Sequence, residues 1–387
     1  MGLRMITRLR SSSVVLSLCI GSVLMFFLPG YPTNVQEIEK KMDGLVVPGL
    51  SDSERADLPW WEGGECRCQN ARCFPPTTPT IPRERMGGTC GLRAWRAGSG
   101  QRVITYALYG NNSIYLNGLK NNVNATRHVY PGWSVWLYTD PRGRHDDLCP
   151  LLHDFPHLFI CDVTNLPAQG NVTGMRKMLW RALPLGDPHV DVTMSRDTDA
   201  RILEREVSAV NEWLATNRTF HVMRDHHNHC ARVMGGMWGM RMDKTNHEGG
   251  GGGGGGVKEV EGDKGEGEKE KEGGERGSGN GTRPSGRDVF AIVRKTIVEQ
   301  GSRFHKDEND QGVLGNVLWV NFKENMVAHS SFCCEKIPEA FTPFPTQRVE
   351  RSFIGNKDYG KHPEGFQVRI PCPEACRSPK HRDWEYC

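Results

Sequence analysis

The stretch from Val190 to Leu214 limits the folds that this chain can adopt. It begins with apolar residues at alternate positions, Val190, Val192 and Met194, which is the pattern of a β-strand. It ends with apolar residues spaced four, three and four apart from Leu203 onward, which form one face of a helix. A strand that runs through a short turn into a helix indicates an α/β fold.

The turn between this strand and this helix carries two carboxylates, Asp197 and Asp199, flanked by Arg196. Two carboxylates at this spacing can converge on one hard cation, Mg²⁺ or Mn²⁺, which completes its shell with phosphate oxygens. Ligands of open α/β sheets bind at the carboxyl ends of the strands, where this turn lies. The sequence therefore predicts a metal-bound nucleotide diphosphate here, although Asp-x-Asp arises by chance about once in a chain of this length.

Strands and helices alternate along the rest of the chain. Apolar β-rich runs predict strands at 103–109, 133–138, 158–163, 190–195, 220–225 and 326–332. Helical periodicity predicts helices at 114–127, 174–183, 203–214, 289–297 and 307–320. This order predicts a mostly parallel central sheet with helices on both faces, in a chain whose 387 residues suffice for a substantial core.

The N-terminus predicts a membrane anchor. Three arginines among the first ten residues precede an uncharged run at 11–33, whose apolar part is 14–28. Basic flanks stay cytoplasmic, so we predict a cytoplasmic tail at 1–10, a signal anchor at 11–33 and a lumenal remainder. Because the apolar part is short for a membrane span, a cleaved signal peptide is the alternative.

Two further features suit a lumenal protein. Of thirteen cysteines, Cys19 lies in the apolar run, and the other twelve are an even number suited to disulfides. Their CxC and CxxxC spacings could instead bind zinc. Glycosylation sequons stand at Asn111, Asn124, Asn171, Asn217 and Asn280. The net charge is only +3, with acidic and basic residues interleaved, so nothing favours nucleic acid as a partner.

Composition divides the lumenal part into three kinds of segment. Residues 34–100 form a predicted stem that is rich in proline and contains a cysteine-rich stretch. Residues 101–387 form a single predicted catalytic domain that ends in a tail rich in cysteine and proline. Residues 248–287 consist largely of glycine, glutamate and lysine, which cannot bury a core, so we predict a disordered insertion.

Three histidines, His226, His227 and His229, follow the predicted strand at 220–225. Their spacing allows zinc binding, contact with the donor or acceptor molecule of a transfer reaction, or a purely structural role. Trp238, in the segment Gly-Gly-Met-Trp-Gly, could stack on a sugar ring or belong to the core.

Taken together, these motifs resemble the GT-A class of glycosyltransferases over about 102–332. The matching segments, in chain order, are a basic helix at 174–181, Arg-Asp-Thr-Asp at 196–199, Gly-Gly-Met-Trp-Gly at 235–239, and Asp-Gln at 310–311 with His329. The last segment resembles the glycogenin-like branch. The chain also resembles uncharacterised animal proteins with an RDxDSR pattern, except that Ala200 replaces the serine.

The resemblance implies a Rossmann-like GT-A domain that binds a nucleotide sugar through Mn²⁺ or Mg²⁺. It implies three metal ligands, Asp197, Asp199 and His329, and two catalytic residues at the transferred sugar, Asp310 and Gln311. It implies donor contacts from Arg176, Arg196, Asp197, Gly235, Gly236 and Trp238. Of the basic residues Arg176, Lys177 and Arg181, at most one should reach phosphate.

The resemblance further implies a single-pass type II membrane protein of the Golgi that acts on a glycan or glycoprotein acceptor. Two alternatives remain open. The chain could be another nucleotide-dependent phosphosugar transferase, or a catalytically inactive, disulfide-stapled binding protein at the cell surface.

Overall fold

The computed structural model describes residues 58–63, 88–243, 286–303, 310–338, 341–357 and 367–387. The predicted signal anchor at 11–33 lies outside these residues, as does the predicted insertion at 248–287 except for its last two positions. Across the described ranges, no helix combines the length and apolarity that a membrane span requires.

A sheet of seven strands forms the centre of the fold. The strands are β1 (Gln101–Ala107), β2 (Ser134–Thr139), β3 (Leu158–Asp162), β4 (Val190–Arg196), β5 (Phe220–Arg224), β6 (Met237–Arg241) and β7 (Met326–Ser330). Their order across the sheet is β3-β2-β1-β4-β6-β5-β7. Only β6 runs antiparallel to its neighbours among these strands. The predicted α/β fold with a mostly parallel sheet is therefore confirmed and is compatible with a Rossmann-like fold.

The chain changes direction across the sheet at β1. From β1 it continues outward to β2 and β3, and it then returns to place β4 on the opposite side of β1. Such a topological switch point leaves a crevice at the carboxyl ends of the two central strands, where open α/β sheets bind ligands. Asp197 follows β4 directly, so the Asp-x-Asp turn lies at this crevice.

Helices cover both faces of the sheet. They are α1 (Trp60–Gly63), α2 (Leu92–Arg96), α3 (Ser113–Val129), α4 (His145–Asp154), α5 (Glu204–Ala215), α6 (Gly286–Arg303), α7 (Asp310–Leu314) and α8 (Val320–Phe322). A π-helical segment, Gly315–Trp319, joins α7 to α8. The predicted helix at 174–183 is a shorter 3₁₀ segment, Lys177–Ala182, because the backbone of Arg176 is still non-helical, with ψ 120°.

Two hydrophobic cores lie on opposite faces of the sheet. One contains Val103 and Trp238, and the other contains Ile104 and Tyr106. Since successive side chains of a strand point to opposite faces, burial of both faces requires a continuous apolar strand. This requirement explains why β1 has apolar residues at the adjacent positions Val103 and Ile104.

Part of the predicted stem packs against this domain. Trp60 and Trp61 of α1 are buried in the same core as Ile104. Cys90 forms a disulfide with Cys161 of β3. The segments 58–63 and 88–100, which the sequence analysis placed in the stem, therefore contact the sheet directly.

Disulfides join several distant segments, as the cysteine count predicts. The described pairs are Cys90–Cys161, Cys230–Cys333, Cys334–Cys376 and Cys372–Cys387, and Cys149 is also disulfide-bonded. Because Cys372 and Cys376 belong to different disulfides, their CxxxC spacing does not form a zinc site. The sequon residues Asn111, Asn124, Asn171 and Asn217 are all exposed, and Asn280 lies outside the described residues.

Candidate functional site

A cavity of about 330 Å³ opens at the carboxyl ends of β1 and β4. Four parts of the chain that line it are Tyr109 after β1, the turn at 197–199 after β4, the glycines before β6, and Asp310 at the start of α7. Residues that are distant in sequence therefore meet at the crevice that the strand order creates.

The Asp-x-Asp turn is held in place from the side of α3. Asn122 donates a hydrogen bond from Nδ2 to the carbonyl oxygen of Ala200 at 2.8 Å. A Cβ atom at Gly118 would overlap with the carbonyl oxygen of Thr198, so the helix can approach the turn only with glycine at this position. These contacts fix the backbone that carries both carboxylates.

Asp199 is a buried carboxylate with unused bonding capacity. Its side chain is 5 % exposed, and within the described residues its Oδ2 atom accepts no hydrogen bond. Lys357 Nζ lies 3.5 Å from this oxygen. Burial, and secondarily the negative charge of Asp197, raise the pKa of Asp199. A carboxylate in this environment favours additional positive charge.

Arg181 connects the other two carboxylates of the cavity. Its Nη1 atom contacts Asp197 Oδ1, and its Nη2 atom donates to Asp310 Oδ2 at 3.0 Å. Burial lowers the pKa of Arg181, but the charges of Asp197 and Asp310 raise it by more, so the pKa of Arg181 lies above its ordinary value. Arg181 is thus a permanent cation that fixes the positions of Asp197 and Asp310.

Gly235 and Gly236 allow the segment before β6 to lie against these carboxylates. A Cβ atom at Gly235 would overlap with Asp310 Oδ2, and one at Gly236 would overlap with Asp197 Oδ2. Any larger residue would displace the carboxylates or the strand.

Two tyrosines form the wall of the cavity near β1. Tyr109 lies edge-on to Trp180 with ring centroids 6.1 Å apart, and Lys177 Nζ lies 5.8 Å from the centroid of the Tyr109 ring. Burial raises the pKa of Tyr109, so its hydroxyl group stays protonated and can donate a hydrogen bond at neutral pH. Tyr115, from the first turn of α3, lines the same wall.

The resemblance assigns ten residues to the metal, the donor or the transferred sugar, and seven of them line this cavity: Arg196, Asp197, Asp199, Gly235, Gly236, Asp310 and Gln311. The guanidinium of Arg196 is held by Glu206 at 2.6 Å and by the carbonyl oxygens of Ser195 and Trp238. Arg196 therefore supports the turn structurally as well as lining the cavity.

The structure does not bring Arg176, Trp238 or His329 to the cavity. Trp238 is 1 % exposed and belongs to a core cluster, where its ring contacts Phe220. Arg176 is bound through its backbone N–H to the carbonyl oxygen of Gly301. Of the three basic residues near 174–181, the one that lines the cavity is Arg181.

His329 lies in a buried chain of side chains instead. Its Nδ1 atom is 2.8 Å from His221 Nε2, and its Nε2 atom is 3.1 Å from Glu212 Oε2. Burial lowers the pKa of His329, and the pKa of His221 lies well below the ordinary value for the same reason. Because both ring nitrogens of His329 already have partners, we do not retain it as a metal ligand.

Sequence reasoning did not assign Tyr109, Tyr115 or Lys357 to the site. Tyr109 is the last residue of the first predicted strand, and this position at the carboxyl end of a strand is the signal that could have identified it. Lys357 lies in the proline- and cysteine-rich tail, where no local pattern indicates a site. It reaches the Asp-x-Asp turn because residues Ala200 and Lys357 form an antiparallel bridge.

Two carboxylates fit a hard divalent cation at this position. In the described segments, no group of three histidine, cysteine, aspartate or glutamate side chains is arranged to hold a metal ion. Mg²⁺ and Mn²⁺ need fewer protein ligands, because one or two carboxylates suffice when phosphate oxygens and water complete the shell. The buried Asp199 Oδ2 atom, which accepts no hydrogen bond in the described structure, suits such a ligand.

No protein-family model matches this chain. No curated protein matches it either. Its function must therefore be inferred from the geometry of the cavity itself.

Proposed function

We propose that this protein is a metal-dependent glycosyltransferase of GT-A-like fold. It transfers a sugar from a nucleotide-diphosphate donor to a glycan or glycoprotein acceptor. One observation carries the proposal: Asp197 and Asp199 line a cavity at the β1/β4 switch point, and the buried oxygen of Asp199 accepts no hydrogen bond among the described residues.

The cation belongs at the Asp-x-Asp turn, with Asp197 and Asp199 as its protein ligands. When bound, Mn²⁺ or Mg²⁺ stabilises the negative charge that develops on the diphosphate as the sugar departs. The part of the cavity nearest β1, with Tyr109 and Tyr115, then receives the nucleoside.

Lys357 supplies a second positive charge for the leaving group. Its side chain is 48 % exposed, and its ammonium group already faces the buried carboxylate of Asp199. A flexible ammonium group in this position can reach a diphosphate that lies across the turn.

The transferred sugar lies against Gly235, Gly236 and Asp310 in this proposal. The two glycines bring the backbone close to the ring, and Asp310 and the neighbouring Gln311 accept hydrogen bonds from sugar hydroxyl groups. Arg181 does not contact the sugar in this arrangement. It orients Asp310 and Asp197 relative to each other.

The cellular setting is part of the same proposal. A predicted signal anchor, several disulfides and exposed sequons suit a type II protein of the Golgi membrane with a lumenal catalytic domain. In that location the chain meets both nucleotide sugars and nascent glycans.

The proposal is tested with a secreted form that begins at Ser51, incubated with Mn²⁺ and a panel of UDP- and GDP-sugars. We expect the protein to hydrolyse at least one nucleotide sugar, and EDTA should abolish this hydrolysis. Asp199→Asn should lower this hydrolysis by about 100-fold, because a ligand of the charge-stabilising ion is lost. The matched control, Asp146→Asn, removes a fully exposed carboxylate of α4 and should leave the rate unchanged.

The released products separate the alternatives. A glycosyltransferase releases a nucleoside diphosphate, whereas a phosphosugar transferase releases a nucleoside monophosphate. A catalytically inactive binding protein would release neither product, and that result would overturn the proposal.

A further inference from the structure

Lys357 has a fixed backbone and a movable side chain at the cavity. Residues Ala200 and Lys357 form an antiparallel bridge, so the lysine side chain starts from a defined point beside the Asp-x-Asp turn. Three residues earlier, the buried Ile354 donates its backbone N–H to Asp225 Oδ2 at 2.9 Å, which holds this part of the tail against the domain. The Lys357 side chain is nevertheless 48 % exposed, and lysine has a flexible four-carbon stem. Its ammonium group can therefore change partner while the backbone stays in place.

The ammonium group of Lys357 faces the same oxygen that suits a metal ion. Its Nζ atom lies 3.5 Å from Asp199 Oδ2, a buried oxygen that accepts no hydrogen bond among the described residues. The contact is thus an ion pair without the geometry of a hydrogen bond, and such a pair is more easily broken than a hydrogen-bonded one. Because Asp199 Oδ2 is buried, it can take a new ligand only if a neighbouring group moves. Lys357 is a half-exposed neighbour that can do so.

A metal ion and the ammonium group of Lys357 cannot share this oxygen. Mg²⁺ binds carboxylate oxygens at about 2.1 Å, so it would lie no more than about 6 Å from an ammonium group that kept its 3.5 Å contact with Asp199. Positive charges at such a distance repel each other in a partly buried site. Lys357 must therefore give up Asp199 when the ion binds there.

The charges of the cavity favour this exchange when a diphosphate is present. Arg196 has its own partner, Glu206. The other carboxylate, guanidinium and ammonium groups that line the cavity are three anions and two cations: Asp197, Asp199, Asp310, Arg181 and Lys357. Together they carry one net negative charge, which attracts a divalent cation only weakly. A diphosphate adds negative charge, and it gives the ammonium group a new partner in place of Asp199.

We propose that Lys357 is the resident cation of the Asp-x-Asp turn and that it leaves Asp199 for the diphosphate when the metal ion and the nucleotide bind together. Mn²⁺ alone then binds weakly, because the displaced ammonium group gains no phosphate in exchange. The inference rests on the proposed glycosyltransferase function and adds the coupling between its two ligands. By linkage, the nucleotide strengthens Mn²⁺ binding by the same factor by which Mn²⁺ strengthens nucleotide binding.

Two binding measurements on the secreted protein test this coupling. Electron paramagnetic resonance of free Mn²⁺ gives the affinity for the ion alone, and isothermal titration gives the affinity for UDP and GDP with Mn²⁺ and with EDTA. Lys357→Met removes the ammonium group, so Mn²⁺ alone should bind at least about fivefold more tightly, the lower end of typical couplings between ligands. The factor by which Mn²⁺ strengthens nucleotide binding should fall by about the same amount.

Lys323→Met is the matched control for Lys357→Met. Lys323 is 44 % exposed, and its ammonium group also faces a carboxylate, that of Glu324, at 3.9 Å. This variant should bind Mn²⁺ and the nucleotide as the unaltered protein does. Lys357→Arg keeps a positive charge beside the turn, so Mn²⁺ alone should still bind it weakly.

Lys357→Gln provides a second uncharged variant, because its amide group can donate a hydrogen bond to Asp199. Thermal unfolding of Lys357→Met and Lys357→Gln shows which of the two is closer in stability to the unaltered protein. The comparison of affinities is made on that variant.

Two results would overturn the role of Lys357. One is that Mn²⁺ alone binds the uncharged variant no more tightly than the unaltered protein, and the other is that the variant keeps the full effect of Mn²⁺ on nucleotide binding. If Mn²⁺ still strengthens nucleotide binding to the unaltered protein in either case, only the role of Lys357 fails. If neither UDP nor GDP binds the unaltered protein in a Mn²⁺-dependent way, the proposed function itself fails.

Discussion

At the scale of single residues, the site depends on charge balance within a confined volume. Arg181 is 4 % exposed and is the shared partner of Asp197 and Asp310. Lys357 faces Asp199 in the same cavity. Each carboxylate therefore has a cationic neighbour before any metal ion or donor binds.

The loss of Arg181 should destabilise the fold. Arg181→Met leaves Asp197 and the buried Asp310 without their shared counter-charge, and breaking a buried ion pair from one side costs about 3 kcal/mol or more. We expect a fall of this size in the free energy of unfolding, measured by urea denaturation at pH 7. Arg176→Met is the control, because Arg176 lies outside the cavity, and it should change the value by less than about 0.5 kcal/mol. Equal stabilities of the two variants would contradict the role of Arg181.

The glycines before β6 should be intolerant of a single methyl group. In Gly236→Ala the new Cβ atom would overlap with Asp197 Oδ2, so either the strand or the carboxylate must move. Displacement of a binding group by about 1 Å can lower activity by about 100-fold, and we expect a loss of this order in Mn²⁺-dependent nucleotide-sugar hydrolysis.

Gly174→Ala is the matched control for that experiment. Among the described residues other than its two chain neighbours, none has an atom within 4 Å of the position where a Cβ atom would be placed on Gly174, so this variant should hydrolyse the donor normally. If Gly236→Ala retained the activity of Gly174→Ala, the close packing around Asp197 would not matter for function.

At the scale of secondary-structure elements, the short helix α1 is attached to the domain through a buried carboxyl group. Glu62 is 4 % exposed, and it accepts a hydrogen bond from the backbone N–H of Arg93 at the start of α2 at 3.0 Å. Burial raises the pKa of Glu62 from 4.5 to about 7, despite the hydrogen bonds and the charge of Arg93 that lower it. The folded protein therefore binds a proton here at pH values where the unfolded chain does not.

This difference predicts how stability changes with pH. The contribution of the raised pKa is fully present below pH 4.5 and is lost as the pH rises through about 7. Relative to Glu62→Gln, which cannot ionise, the unaltered protein should lose up to about 1.4 kcal/mol of unfolding free energy for each pH unit as the pH rises from 4.5 to about 7. The difference should become constant at higher pH.

Denaturation curves of both proteins between pH 5 and pH 8 measure this slope. Glu204→Gln, on α5, provides the control and should follow the unaltered protein at every pH. A parallel course of the Glu62→Gln and unaltered curves would show that Glu62 ionises normally in the folded state.

Local sequence patterns were sufficient to predict some elements of the fold. The unit formed by β4, the Asp-x-Asp turn and α5 follows from apolar spacing within one short stretch. Helix α4 was not predicted, because Pro150 lies inside it and proline ordinarily ends a helix. β6 has two buried faces and contains Gly239, so it shows no alternation from which a strand could be predicted.

The composition of the site depends on tertiary contacts that no local pattern reveals. His329 has a plausible position in the sequence, but β7 places its ring on a buried face beside His221. Trp238 directly follows the segment from Gly235 to Met237, which lines the cavity, yet its side chain enters the core. Lys357 joins the site through a backbone bridge to Ala200, and that contact appears only in the folded chain.

At the scale of the whole molecule, the strand order decides where chemistry is possible. The sheet is buried on both faces, so the carboxyl edge at the switch point is where side chains from distant segments converge on a cavity. Along this edge the proposed order is nucleoside at β1, cation and diphosphate at β4, and transferred sugar at β6.

Isothermal titration with UDP and GDP, with Mn²⁺ and then with EDTA, tests the central claim that two carboxylates hold an ion that in turn holds a diphosphate. The unaltered protein should bind one of these nucleotides at least about tenfold more tightly with Mn²⁺ than with EDTA. Asp199→Asn should remove that difference while Asp146→Asn preserves it. Equal affinity with and without Mn²⁺, or an Asp199→Asn variant that keeps the full Mn²⁺ effect, would contradict the claim.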